Sequence, residues 1–154
     1  MPGIEARLRE LQIELPPATP PVANFVPCVQ SGKLLFVSGQ ITSFDNEIRH
    51  VGKVGGGIST AEARAAARLC ALNVLAQARA FLGELDRVQR VCQVQVFVNA
   101  VPEFAEHSAV GNGASDLLVE VFGSAAGAHA RFAVGAGSLP LNVAVEVAAV
   151  LEIV

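Results

Sequence analysis

Hydrophobic residues recur at two different spacings along the chain. In residues 4–11 they fall three and four positions apart, which predicts a short amphipathic helix on the outside of the domain. Two proline pairs between residues 16 and 21 end this helix and predict an extended linker, because proline restricts both itself and the residue before it. We therefore predict an N-terminal helix and Pro-rich linker over residues 1–21 and one domain over residues 22–154.

The first half of the domain reads as two strands followed by a helix. Leu34–Ile41 is an almost continuous apolar run, which is typical of a strand covered on both faces. Asp45–Glu47 predicts a hairpin turn, and residues 48–54 are expected to form the second strand. Ser59–Glu62 has the capping-box pattern, so an Ala-rich helix is predicted from Thr60 to Phe81.

The second half continues with a strand, a helix and two further strands. Residues 88–98 alternate between valines and larger or polar side chains, as a strand does. Residues 103–122 predict a helix that Gly111–Gly113 interrupts or delays. Strands over residues 129–134 and 141–154 complete the chain. This order of elements predicts an α+β fold in which helices pack on one face of a mixed sheet.

Composition and charge narrow the function classes. The chain is 52% hydrophobic with a mean hydropathy of +0.48, yet it has no run of about 20 apolar residues and no signal-peptide pattern. Buried strands and a subunit interface are expected to hide this apolar surplus. A net charge of −3 and the absence of Trp and Tyr argue against nucleic acid as a partner. Three widely spaced cysteines indicate free thiols in a reducing cytoplasm.

Glu146 is the most informative position for chemistry. It lies in the otherwise apolar run Val143–Val150, where an ionised carboxylate is costly unless it is paired or hydrated. Either a partner meets this side chain in a partly dry place, or the strand has an edge at which Glu146 points to water.

Arg131 raises a similar question in the preceding strand. Alternation places Arg131 on one face of the strand with His129 and Ala133, and we expect the face of Phe132 to be the core. The small neighbours leave room around a guanidinium, whose planar fork matches a carboxylate. An exposed or structurally paired arginine is the alternative.

Other candidate sites are weaker. Ser38 and Gly39 end the first buried strand and offer a hydroxyl and a close backbone approach, but no nucleophile elbow surrounds Ser38. Gly55–Gly57 could hold a phosphate before the helix, although a flexible loop is the simpler interpretation because the P-loop residues are missing. The three histidines lack the spacing of a metal site, so no metal and no cofactor are expected.

Three motifs in order resemble the signature of the Rid (YjgF-like) family. They are Val37–Gln40, Val96–Val98, and the run from His129–Arg131 through Leu139–Pro140 to Val145–Val147. The resemblance covers roughly residue 25 to the C-terminus. The N-terminal helix and the segment around Asn112 resemble a divergent branch of the family.

The resemblance implies a chorismate-mutase-like fold and a homotrimer with three sites between subunits. It also implies hydrolytic deamination of small 2-imino or enamino acids to 2-keto acids and ammonia, without a cofactor. In this reading Arg131 holds the substrate carboxylate and Glu146 positions the attacking water. Arg131 and Glu146 are therefore expected to face a shared, partly dry cleft.

The remaining site residues implied by the resemblance are Ser38, Gly39, Phe25 and, less directly, Asn112. Phe25 stands where the family often has a tyrosine, and Ala133 stands where it often has a cysteine, so the pocket is expected to be more apolar than in typical deaminases. The alternatives are a non-catalytic trimer that binds small carboxylates and, on the family label only, an endoribonuclease.

Overall fold

A computed structural model describes residues 3–21 and 23–154. Met1, Pro2 and Val22, which stand at the bounds of the two predicted segments, lie outside the described residues. The helices are α1 Ile4–Glu10, α2 Thr60–Leu82 and α3 His107–Ala126. The strands are β1 Cys28–Ser31, β2 Leu34–Gln40, β3 Ser43–Phe44, β4 Glu47–Ile48, β5 Val88–Asn99, β6 Ala130–Ala136 and β7 Val145–Ile153.

Five of the strands form one mixed sheet in the order β1-β2-β7-β5-β6. Strands β5 and β6 are parallel, and every other neighbouring pair in this sheet is antiparallel. Helix α3 connects the parallel pair, as a crossover between parallel strands requires. The short strands β3 and β4 form a separate hairpin.

The sheet has one buried face and one open face. Val94, Val96 and Val98 of β5 are fully buried beneath the helices, and β7 alternates in the same way from Val145 to Ile153. The open face is not covered by any described residue and carries apolar side chains, among them Phe36 and Phe132, which are 45% and 39% exposed. The predicted α+β fold, with helices on one face of a mixed sheet, is confirmed.

Helix α2 forms as its sequence predicts. The Ser59 side chain accepts from the Glu62 amide and the Glu62 carboxylate accepts from the Ser59 amide, which completes the capping box. Gly83 ends the helix with a φ of 90°. The small residues of its buried face let α2 lie close to the sheet, and the Cys70 thiol donates to the Val145 carbonyl of β7.

The predicted interruption of α3 at Gly111–Gly113 is wrong, because the helix runs from His107 through these residues. The glycines instead permit close approaches. A Cβ at Gly113 would lie 2.0 Å from the Arg64 carbonyl oxygen of α2, and one at Gly111 would lie 3.1 Å from the Arg131 guanidinium carbon. The helical path breaks at Gly123, whose φ is 86°.

The structure corrects two strand predictions and contains one strand, β1, that the sequence did not predict. Of residues 48–54, only Ile48 lies in a strand, the two-residue β4, and Val51 and Val54 form isolated bridges, because positive φ angles at His50 and Gly52 interrupt the extended backbone. Strand β7 begins at Val145 rather than at Leu141, since a 3₁₀ turn with left-handed residues precedes it.

The N-terminal segment packs on the helical layer. Leu8 of α1 is buried, and the Glu5 carboxylate lies 3.3 Å from the Arg79 guanidinium of α2. The chain then runs back along α2, where the Gln77 side-chain amide donates to the Thr19 carbonyl. The division of the chain after residue 21 stays a prediction. No helix in the described part of the chain is long and apolar enough to cross a membrane.

Candidate functional site

Arg131 points toward the helices and not away from them. Its partner on β5 is Val94, which is fully buried on the helical side of the sheet. Phe132 consequently lies on the open face, where its ring meets that of Phe97 edge to face at 5.6 Å. The expectation that the Phe132 side of β6 is the core is therefore wrong. Because β6 is an edge strand, Arg131 is only half-buried and its outer side meets solvent.

Polar groups of α3 hold the guanidinium on one side. Arg131 Nη1 donates to Asn112 Oδ1 and to Ser115 Oγ, each at 3.0 Å, and Nη2 donates to the Ser108 carbonyl at 3.4 Å. A guanidinium has five N–H donors. The Nε–H and one of the two Nη2–H groups form no hydrogen bond with a described residue, and the Nε/Nη2 edge of a guanidinium is the side-on fork that matches a carboxylate.

The charge of Arg131 is not compensated within the described residues. All three of its acceptors are neutral, and none of the ion pairs formed by residues 3–21 and 23–154 includes Arg131. A half-buried cation with only neutral partners attracts an anion more strongly than an exposed one, because solvent screens it less. The arrangement is able to bind a small carboxylate.

Ser115 extends this network to His129. Ser115 Oγ lies 2.8 Å from His129 Nε2, and His129 Nδ1 lies 2.6 Å from the Gly127 carbonyl oxygen. Ser115 and His129 were not predicted from the sequence as site residues. The available signal was the alternation that places His129 on the same face of β6 as Arg131.

Glu146 lies on the open face of the sheet against Gly39. A Cβ at Gly39 would lie 2.1 Å from Glu146 Oε2, so only glycine leaves room for the carboxylate there. The register between β2 and β7 shifts between Val37 and Gln40, which places Ser38 and Gly39 in a bulge beside Glu146. The carboxylate has no hydrogen-bond partner among the described residues, and burial raises its pKa.

A backbone hydrogen bond joins the Ser38 bulge to the segment that contains Phe25. The Ser38 amide donates to the Pro27 carbonyl at 2.9 Å, which brings the segment that contains Phe25 to the bulge. The Phe25 side chain is 48% exposed, and the Ser38 side chain is partly exposed. Gln40 supports this corner, because its side-chain amide donates to the Ser38 carbonyl at 3.2 Å.

The structure therefore forms two clusters and not one. The Arg131 cluster, made of Arg131, Asn112, Ser115 and His129, lies under α3 at the edge of the sheet. The Glu146 cluster, made of Glu146 and the bulge residues Ser38 and Gly39, lies on the open face. The strand register places the Cα atoms of Arg131 and Glu146 two strands apart across the sheet and three residues apart along the strands, which corresponds to a distance of about 14 Å. The expectation of a shared cleft does not hold within one chain.

Phosphate and metal sites find no support in the described residues. The N-terminus of α2, which follows Gly55–Gly57, is already occupied by the Ser59 and Glu62 side chains of its own capping box. No group of three His, Cys, Asp or Glu side chains able to hold a metal ion occurs in the described ranges.

Comparison with known proteins identifies the class of protein that has this fold and these motifs. Residues 5–153 match the model of the family described as "YjgF/chorismate_mutase-like, putative endoribonuclease". The chain belongs to this family. The match begins within α1, so the family model includes the N-terminal segment as well as the domain.

Individual relatives agree with this assignment. Protein TCP17 of Trypanosoma cruzi is 49% identical over 150 residues, which are 97% of this chain and 94% of that protein. The crystal structure of Atu1372 from Agrobacterium tumefaciens is 48% identical with a TM-score of 0.90, over 98% of this chain and 92% of that one. A structure described as a putative endoribonuclease from Shewanella oneidensis is 32% identical with a TM-score of 0.94, over 99% and 100%.

Proposed function

We propose that this protein hydrolyses small 2-imino or enamino acids to 2-keto acids and ammonia, with the substrate carboxylate held by Arg131. The observation that carries the proposal is the half-buried guanidinium with neutral partners and an available Nε/Nη2 fork. Asn112 and Ser115 hold the guanidinium from behind, so the fork is oriented before the substrate arrives.

Glu146 supplies the second group that this reaction needs. Water adds to the carbon of the C=N bond, the nitrogen takes up protons, and ammonia leaves as the carbonyl forms. A carboxylate that accepts a hydrogen bond from the water orients it and takes its proton. Burial raises the pKa of Glu146, which makes this carboxylate a stronger base than an exposed glutamate. The reaction needs neither a metal nor a cofactor.

A substrate that touches both clusters has to lie between two copies of the chain. Arg131 and Glu146 are on opposite faces of one sheet, so one molecule of substrate size does not reach both in a single subunit. The open face, where Glu146 lies, also exposes Phe36 and Phe132 and is suited to burial in an interface. A homotrimer with each site built from the Arg131 cluster of one subunit and the Glu146 cluster of its neighbour satisfies both observations.

A structural relative of low identity supports a small ligand with a carboxylate. The structure of TdcF from Escherichia coli, which is 23% identical to this chain with a TM-score of 0.64, contains bound serine. Serine belongs to that protein. The comparison supports the idea that this fold can hold a molecule the size of a small amino acid.

The second candidate function is binding of small carboxylates without catalysis. Phe25 and Ala133 favour this function, because they lack the hydroxyl and the thiol that the family often has at these positions. The Arg131 cluster alone suffices for binding. An endoribonuclease function, suggested by the descriptions of relatives, is less compatible with a net charge of −3 and three scattered histidines.

The experiment measures how fast purified protein converts 2-iminopropanoate, generated in place by an amino-acid oxidase acting on alanine, to pyruvate. The wild type is expected to accelerate the conversion, and Arg131→Ala is expected to lower the acceleration by about 100-fold or more because substrate orientation is lost. Arg49→Ala is the matched control, since Arg49 lies over the Phe44 ring and outside both clusters.

The outcomes separate the candidate functions. A wild type that binds pyruvate through Arg131 without accelerating the conversion supports the binding protein and refutes the deaminase. RNA cleavage by highly purified protein that persists in Arg131→Ala supports the endoribonuclease instead.

A further inference from the structure

The Arg131, Ser115 and His129 side chains form one directed chain of hydrogen bonds. The Gly127 carbonyl can only accept, so His129 carries its proton on Nδ1 and its Nε2 is an acceptor. The Ser115 hydroxyl then donates to Nε2, and its oxygen accepts from Arg131 Nη1. Every donor in the chain points away from the guanidinium and toward the Gly127 carbonyl.

Protonation of His129 reverses the direction of the hydrogen bond between Ser115 and His129. An imidazolium has no acceptor, so Nε2 would donate to Ser115 Oγ, which has two lone pairs and already accepts from Arg131. Two cations would then share one oxygen atom, at 2.8 Å and 3.0 Å. An anion on the other side of the guanidinium offsets the repulsion between the two cations.

We propose that Ser115 and His129 are positioning residues of the Arg131 site and that His129, acting through Ser115, couples carboxylate binding to proton uptake. The inference rests on the proposed binding of a carboxylate by Arg131. Linkage makes the coupling reciprocal: a bound carboxylate favours protonation of His129, and protonation of His129 favours the bound carboxylate. Carboxylate affinity therefore rises as the pH falls through the range in which histidines titrate.

Other charged groups near His129 do not replace this coupling. His129 lines an open cleft of about 580 Å³ with Arg90 and Cys92 of β5 and Glu152 of β7. Arg90 and Glu152 are cross-strand partners of opposite charge, and neither forms a hydrogen bond with His129. Asp116 of α3 follows Ser115 but is exposed, and among the charged residues that the structure describes only Arg131 is joined to His129 through a shared hydrogen-bond partner.

The test measures the affinity of the full-length protein for pyruvate by calorimetry between about pH 8 and pH 5.5, where a histidine changes its charge and the pyruvate carboxylate stays ionised. The measurement is made in a Glu146→Gln background, because burial raises the pKa of Glu146 and a protonated Glu146 would also favour an anion. Affinity is expected to rise by about threefold as the pH falls.

Two variants isolate His129. His129→Gln keeps an acceptor for Ser115 but does not titrate, so binding should persist and its pH dependence should vanish. His107→Gln is the matched control, because His107 lies near Gly135 on the same face of β6 and forms no hydrogen bond with Arg131 or Ser115. His107→Gln should keep the pH dependence of pyruvate affinity. Ser115→Thr, which retains the hydroxyl, should also keep this dependence, whereas Ser115→Ala should lose it.

A nuclear magnetic resonance measurement on protein with the native His129, His107 and Ser115 complements the affinity measurements. The histidine ring resonances, assigned with the single His→Gln variants, are followed during pH titration with and without pyruvate. The midpoint for His129 should move upward by about half a pH unit when pyruvate is bound, and those for His50 and His107 should not move.

Two negative results have different meanings. Binding that depends on Arg131 but has the same pH dependence in the parent protein and in His129→Gln overturns this inference and leaves the proposed function intact. The absence of Arg131-dependent pyruvate binding at every pH overturns the proposed function, and this inference with it.

Discussion

Arg131 and Glu146 lie on opposite faces of one sheet, although their strands both pair with β5. Arg131 is level with Val94 beneath the helices, and Glu146 is level with Phe97 on the open face. Cross-strand partners point to the same side of a sheet, so the register alone separates the two charged groups. A site that uses both groups requires a second copy of the chain.

Mixing two inactive variants tests the shared site directly. Arg131→Ala and Glu146→Gln subunits are unfolded together, refolded as an equal mixture and assayed for deamination of 2-iminopropanoate. In randomly assembled cyclic trimers, about one quarter of the sites should pair an intact Arg131 with an intact Glu146 and recover activity. Each variant refolded alone is the control. If the mixture is no more active than either variant alone, the shared site is refuted.

The exposed phenylalanines of the open face should control assembly. Phe36→Asp places a charge in the proposed interface, so light scattering should change from a trimer, three times the chain mass of 16.0 kDa, to a monomer. Phe81→Asp is the matched control: Phe81 is 47% exposed, close to the 45% of Phe36, but belongs to α2 in the helical layer. Equal masses for the two variants would contradict the assignment of the interface.

Gly39 should be needed for the position of the Glu146 carboxylate. Gly39→Ala puts a methyl group where Oε2 lies, which should lower turnover by about 100-fold through misplacement of the base. The free energy of unfolding should fall by about 1–3 kcal/mol because the methyl group overpacks this corner. Gly57→Ala, at a glycine with open space around it, should change neither quantity.

The same pair predicts a non-additive effect on stability. When Glu146 is also replaced by Ala, the methyl group at residue 39 has room, so most of the stability loss caused by Gly39→Ala should disappear. Additive losses in the double variant would show that Gly39 is needed for its backbone and not for the space it leaves to Glu146.

Glu146 should make stability fall as the pH rises. Burial raises the pKa of Glu146 above its ordinary value of 4.5, so the folded protein keeps this proton at a pH where the unfolded chain has lost it. The contribution of Glu146 to the free energy of unfolding is fully present below pH 4.5, and it is lost as the pH rises through the raised pKa of the folded protein.

Thermal unfolding of Glu146→Gln checks this dependence. At neutral pH the variant should be more stable than the wild type by on the order of 1 kcal/mol, because a half-buried carboxylate without a partner is removed. At pH about 4 the difference should disappear, since a protonated glutamate resembles a glutamine. The exposed Glu103→Gln is the control and should show neither effect.

Local sequence patterns correctly predicted the elements whose backbone conformation depends on residues that are close along the chain. The capping box at Ser59, the alternating valines of β5 and the turn at Asp45 were all recovered, because each depends on neighbours within a few residues. The predicted interruption at Gly111–Gly113 was wrong for the opposite reason. Glycine weakens an isolated helix, but here it lets α3 approach α2 and Arg131, a benefit that appears only when the partners are in place.

By itself, the amino-acid sequence determined the α+β class, the order of most elements and the two charged residues that apolar strands do not readily accept. Only the tertiary structure decided which face of β6 is covered, because alternation defines two faces but not which one meets the helices. It also decided that Arg131 and Glu146 are separated and that Ser115 and His129 join Arg131. Those facts depend on strand order, register and helix packing, which bring together residues that are distant along the chain.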